Sequence, residues 1–167
     1  MALLAAAKAA SERDWLMILL TFWHGLRASE VIQIQAHHVR DGHLTVARLK
    51  GSLKTVQPLI EHPDPLLNEK AALIDYVSGR PKNQCLFRMS RTHFWRLVAK
   101  HARTAKLPER KGHPHALKHS CAMSLISKVG IENTRQWLGH RSMSSTGEYL
   151  KVSDEDAGRA VLASLKD

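Results

Sequence analysis

The sequence predicts a mostly helical α+β domain with one small three-stranded antiparallel sheet. Three observations carry that expectation. Apolar residues recur at helical spacing in several segments that end at glycine or proline. One stretch, residues 37–59, changes to strand-like alternation around an Asp-Gly turn. The chain has 167 residues, 44% of them hydrophobic, enough for one core that buries roughly two-thirds of the unfolded surface. No internal repeat, low-complexity tract or interdomain linker interrupts it, so residues 1–167 are expected to form a single domain.

The elements follow in order. Leu3 to Ala10 is alanine-rich and helix-prone. Ser11 is placed to cap a second helix, Glu12 to Trp23, whose apolar residues run all the way round; that pattern predicts a buried central helix. Gly25 stops it, and a short helix follows near Ser29 to Ile34. His37 to Arg40, the Asp41-Gly42 turn and the alternating His43 to Arg48 predict a hairpin. A second turn around Lys50 to Leu53 leads to a third strand, Lys54 to Leu59, and puts Lys50 at the connection. Beyond Pro63-Asp64-Pro65, helices are expected near Leu66 to Ser78, Arg91 to Thr104 and His115 to Lys128. Shorter ones follow near Ile131 to Leu138 and Ser142 to Leu150, with a last near Asp154 to Leu165. Gly130 and Gly139 are the stops between them.

Charge narrows the function. Twenty-five Lys and Arg against 15 Asp and Glu give a net +10, a balance suited to nucleic acid, because phosphate binding is chiefly cation placement. The basic residues are spread along the chain, which argues against a single membrane-surface helix. Cys85 and Cys121 are too few for a disulfide framework, and Cys121 falls in an apolar helical register. The longest apolar run, Trp15 to Trp23, is too short to span a bilayer, and no signal sequence opens the chain. A cytoplasmic, nucleoid-associated protein is expected.

Candidate chemistry begins at the helix that opens after Pro114. At helical spacing His115, Lys118, His119 and Ala122 share one face, with Leu117, Cys121 and Leu125 on the apolar neighbour. A solvated basic face is the plain alternative for His115 and Lys118. Tyr149 is a candidate nucleophile. Its hydroxyl titrates near pH ~10, so it has to give up a proton as it attacks, and His140 or His115 is placed to accept that proton or to orient a phosphate. In-line attack on a phosphodiester concentrates negative charge on the non-bridging oxygens, which Arg27 and Lys118 would stabilise. Lys50, on its hairpin, is a donor for the departing sugar oxygen. With these cations in place no divalent metal or other cofactor is needed.

Five motifs in this order resemble the catalytic domain of the tyrosine recombinases, the phage integrase superfamily, from about Asp14 to Asp156. They are His24 to Glu30, Arg48-Leu49-Lys50 with Pro58-Leu59, His113 to His119, Leu138-Gly139-His140, and Tyr149 nine residues after His140. The pattern is nearest to the short members that invert fimbrial promoter switches. The resemblance implies that Arg27 binds phosphate, Lys50 protonates the leaving 5′ oxygen, His115 is general base or phosphate ligand, His140 supports the transition state, and Tyr149 forms a 3′-phosphotyrosyl link. Glu30 would orient Arg27 or neighbouring backbone. It also implies double-stranded DNA as partner, with tetramers on paired sites and a monomer when free.

Two departures stand out. Lys118 occupies the place of the family's second arginine, keeping the charge but losing the planar two-pronged fork. Within these 167 residues no segment is expected to supply the N-terminal helical domain of larger members. A DNA-binding protein that has lost its chemistry, and an activity of the type IB topoisomerase kind, are the alternatives to a recombinase. Structural zinc on His113, His115 and His119 is a further alternative, but no Cys pair or His-Glu-x-x-His frame accompanies them. Arg91, Arg96 and Lys100 on one helix, and Lys54 at a strand start, are candidate DNA contacts or solvated surface.

Overall fold

A computed structural model describes residues 1–48 and 52–141. Helix α1, Ala2–Ala10, buries Leu3, Leu4 and Ala7. Ser11 ends it and caps α2, Glu12–Trp23, by accepting from the Asp14 amide. Every side chain from Trp15 to Leu20 is at most 1% exposed, as expected of a helix that is apolar on all sides. Helix α1 and two later helices, Glu69–Val77 and Pro114–Leu138, pack around it. Gly25 then takes φ 57°, a left-handed turn glycine adopts without a Cβ penalty. Helix α3, Ala28–Val31, is shorter than the predicted 29–34 because Gln33 and Ile34 turn back to Glu30 and Val31.

The sheet has the expected order, β1-β2-β3, antiparallel throughout. β1 is only Val39–Arg40, since a 3-10 turn, Ala36–His38, replaces the predicted start of that strand. The His38 ring accepts from the Gln35 amide at 3.1 Å and closes that turn. Asp41 and Gly42 both have positive φ, 50° and 72°, the backbone a two-residue hairpin turn requires. β2 is His43–Val46 and β3 is Thr55–Pro58, with Leu44 opposite Gln57. Leu44 and Val46 face the apolar core, whereas the inward residues of β3, Thr55 and Gln57, are polar.

Helix α4, Glu69–Val77, starts later than predicted because Asn68 caps it and Asp64 holds the preceding turn through Leu66 and Leu67. The indole N–H groups of Trp15 and Trp23 donate to the carbonyls of Leu66 and Leu67, each at 3.0 Å, pinning that turn to α2. Helix α5, Arg91–Thr104, has the predicted bounds, with Ser90 as cap. Its buried His101 meets Asp14 of α2 at 2.9 Å. A 3-10 turn, Glu109–Lys111, leads to α6, Pro114–Leu138. Gly130 (φ 79°, ψ 170°) breaks α6, so its two arms are the two helices the sequence predicts on either side of that glycine. The predicted helices 142–150 and 154–165 lie outside the described residues.

No described helix is long and apolar enough to cross a membrane. Cys121 is buried against Ala122 and Leu138, as its register predicted.

Candidate active site

Arg27 sits at the start of α3 in extended backbone (φ −77°, ψ 155°). Glu30, three residues on and buried, holds it twice. One carboxylate oxygen accepts from the Arg27 amide at 2.8 Å and the other from its guanidinium at 2.7 Å. This is the orienting role expected of Glu30. The oxygen that accepts from the Arg27 amide also accepts from Arg48 at 3.3 Å, so one carboxylate bridges two guanidinium groups.

Arg48, to which the sequence motif assigns no role, organises the site. Its side chain donates to Thr55 Oγ1 (3.2 Å), the Gly25 carbonyl (3.2 Å), the His24 carbonyl (2.9 Å) and the Trp137 carbonyl (3.1 Å), besides Glu30. It ties together the end of α2, β3 and the end of α6. Burial pulls its affinity for a proton down, with Glu30 opposing. The signal is present in the alternation: Leu44, Val46 and Arg48 recur at every second position and all three are buried, although β2 ends at Val46.

Lys118 is 4% exposed, so the reading of a solvated basic face fails for it. The sheath of α2 and the α2–α3 turn covers the start of α6, and the ammonium donates to the Gly25 carbonyl at 2.6 Å. Its titration is pushed down to about 8, first by burial and then by the positive charge of Arg48, with Glu30 acting the other way. His115, one turn earlier, is exposed, with its ring stacked near that of His113 (6.4 Å between centroids). His113 also caps α6 by accepting from the Ala116 amide, and Pro114 occupies the first turn.

His140 follows Gly139, which ends α6 with φ 68°. A Cβ on Gly139 would lie 2.6 Å from the Leu53 carbonyl oxygen, so only glycine lets the turn pack this close to the sheet. The turn is fixed from several sides. Leu53 donates to Gly139 O at 2.9 Å, His140 N to Arg135 O at 3.1 Å, and the Arg135 guanidinium to His140 O at 3.0 Å. Gln57 adds a bond of 2.6 Å to Trp137 O. Gln57 is itself held by the buried His24 ring, whose other nitrogen meets Glu69 at 2.7 Å. The His140 imidazole is pushed down to about 4 by burial, then by Lys118, Arg27 and Arg48. It is therefore neutral near pH 7, and its surroundings are those of an anion site.

A cleft of about 380 Å³ brings part of the predicted set together, and His140 is not among its lining residues. Arg27, His115 and Lys118 line it, joined by Arg91, Thr92 and Trp95 of α5 and by His113 and Pro114. The N-termini of α5 and α6 both border the cleft, and their partial positive charge favours an anion there. Of the other predicted contacts, Arg96 and Lys100 are exposed on α5 outside the cleft lining, and Lys54 is exposed ahead of β3. Lys50 and Tyr149 lie outside the described residues. Among the described residues no three His, Cys, Asp or Glu stand together as a metal site.

Comparison with known proteins supports the same fold. The chain is 31% identical over 161 residues to tyrosine recombinase XerA of Pyrococcus furiosus, covering 89% of this chain and 54% of that protein. It is 27% identical over 156 residues to the type 1 fimbriae regulatory protein FimE of Escherichia coli K12, covering 84% and 75%. It thus spans about half the length of XerA. The crystal structure of XerA recombinase superposes with a TM-score of 0.75 at 21% identity, over 96% of this chain and 61% of that one. A lambda integrase dimer bound to a COC′ core site gives 0.70 at 20% identity, over 94% and 46%. The fold is that of a tyrosine recombinase catalytic domain. Since the sequence profile of the phage integrase family matches residues 1–156, the chain belongs to that family.

Proposed function

We propose that this chain is the catalytic part of a site-specific DNA recombinase that cuts and rejoins strands through a 3′-phosphotyrosyl intermediate. The observation that carries the reading is the convergence of Arg27, His115 and Lys118 on one cleft. Arg27, held by Glu30, presents a fork to the non-bridging oxygens, and Lys118 adds a compact charge from below. Tyr149 attacks phosphorus while the bond to the 5′ oxygen breaks. The phenol proton passes to His115, and Lys50 gives a proton to the departing oxygen. His140, with its pKa near 4, is too weak a base for a phenol, so its role is a neutral hydrogen bond to the phosphate. Rejoining runs the same steps in reverse with a new 5′ hydroxyl. On paired DNA sites the protein works as a tetramer, and off DNA it is a monomer.

The second reading is a DNA binder without chemistry. It is favoured by Lys118, a buried ammonium that already spends one donor on Gly25 O. A nicked duplex, built on a site selected from random DNA by binding, separates the two. A covalent adduct that is present in the wild type and lost in Tyr149→Phe supports the recombinase. Tight binding with no adduct supports the binder.

A further inference from the structure

The catalytic proposal uses the cationic side of the cleft and leaves its other wall unexplained. That wall is Trp95, on α5, with 53% of its surface exposed. An indole is costly to leave in water, and Trp95 has a second hollow beside it, about 360 Å³, formed with Ala99, Ala102, Leu107 and Gly112. The hollow exists because Ala99, Ala102 and Gly112 are small. A Cβ on Gly112 would come within 3.2 Å of the Ala102 Cβ, so larger side chains would close it. Arg103 and Glu109 stand at its rim. The surroundings are cationic: from Arg88 to Lys118 the chain carries nine Lys or Arg and one acid, Glu109.

The first cleft has the volume of a pocket for a whole small molecule rather than for one phosphate group. A phosphate held by Arg27 and Lys118 therefore leaves room for its attached nucleoside, and Trp95 is the face that nucleoside meets. Aromatic platforms beside a cationic track are the physical means by which unpaired bases are held, since every base offers a π-face. We infer that Trp95 and the small-residue hollow behind it form a base subsite, which stacks one unpaired nucleobase next to the phosphate gripped by Arg27 and Lys118. The subsite rests on the DNA-binding reading above but not on the chemistry of Tyr149. It would hold open the strand end that cutting releases.

The test compares two probes of equal length and phosphate count, an oligothymidylate and its abasic counterpart, by anisotropy at one low salt concentration. The wild type should prefer the thymidylate by roughly 10-fold, the scale of one stacked base. Trp95→Ala should erase that preference and leave abasic binding unchanged, and Ala99→Leu, which fills the hollow, should reduce the preference with Trp95 intact. Wild-type indole fluorescence should be quenched by the thymidylate and not by the abasic chain, and the Trp95→Phe protein should lose that quenching. Equal affinities in the wild type, or a preference that survives Trp95→Ala, overturn the subsite. So does a Trp95-dependent dimer that excludes the thymidylate. Neither probe binding overturns the subsite, and the DNA reading falls with it only if a short duplex also fails to bind. A nicked-duplex adduct alongside equal affinities overturns the subsite alone.

Discussion

The lowered titration of Lys118 gives a sharp test of whether this residue grips phosphate. Its ammonium would ordinarily titrate near 10.5 and is pushed down to about 8. That difference corresponds to on the order of 3 kcal/mol spent keeping the charge in a nearly buried place. In the free protein roughly nine molecules in ten are charged at pH 7 and about one in ten at pH 9. If only the charged form holds the phosphodiester, affinity for a short labelled duplex should fall about 10-fold for each pH unit above 8. Stability moves the other way. Because the folded pKa lies below the unfolded one, the unfolded chain binds more protons between about 8 and 10.5, so Lys118 adds to folding stability as pH rises through that window. Weaker binding with unchanged or firmer folding is a signature alkaline unfolding does not produce. Lys118→Arg should bind without that pH dependence, since arginine keeps its charge. Anisotropy at fixed ionic strength, with thermal unfolding on the same samples, measures both. A wild-type affinity that stays flat up to about pH 9, or an arginine variant that falls just as steeply, refutes the assignment.

Other perturbations read other parts of the site. Glu30→Ala removes the carboxylate shared by Arg27 and Arg48 and leaves the buried Arg48 guanidinium without that counter-charge; thermal or urea unfolding should show a loss of about 3–5 kcal/mol. Gly139→Ala puts a side chain on a left-handed residue and against the Leu53 carbonyl, so a fall of at least about 1–2 kcal/mol is expected, with adduct formation reduced further because His140 moves. His140 is held below its ordinary value, near 4, so the unfolded chain takes up its proton first. Stability should therefore decline as pH falls from about 6.5 to about 4, and His140→Gln should flatten that slope in acid unfolding curves.

Much of this architecture is legible in local pattern. Ser11, Gly25, Pro114, Gly130 and Gly139 punctuate the helices because each acts on its own backbone. The Asp41-Gly42 turn fixes the hairpin for the same reason. The candidate site is legible only where a residue type announces its chemistry, as with Arg27 and His115, which line the cleft. The burial of Lys118, a candidate phosphate ligand in sequence, is not legible locally because the cover over it comes from a turn 93 residues away. The organising role of Arg48 is not legible locally because its donors reach the Trp137 carbonyl, 89 residues on, and the backbone of His24 and Gly25. The inward polar face of β3 follows the same rule. Thr55 and Gln57 break the expected apolar alternation because they hold Arg48 and Trp137 in place.

The convergence of cations on one phosphodiester is tested most directly by a crystal structure of Tyr149→Phe with a nicked duplex. The account predicts a backbone phosphate in the cleft between α3 and α6, with the Arg27 guanidinium and the Lys118 ammonium on its non-bridging oxygens and the His115 and His140 rings within hydrogen-bond reach. DNA lying along α5 through Arg96 and Lys100, with no phosphate between Arg27 and Lys118, would contradict it.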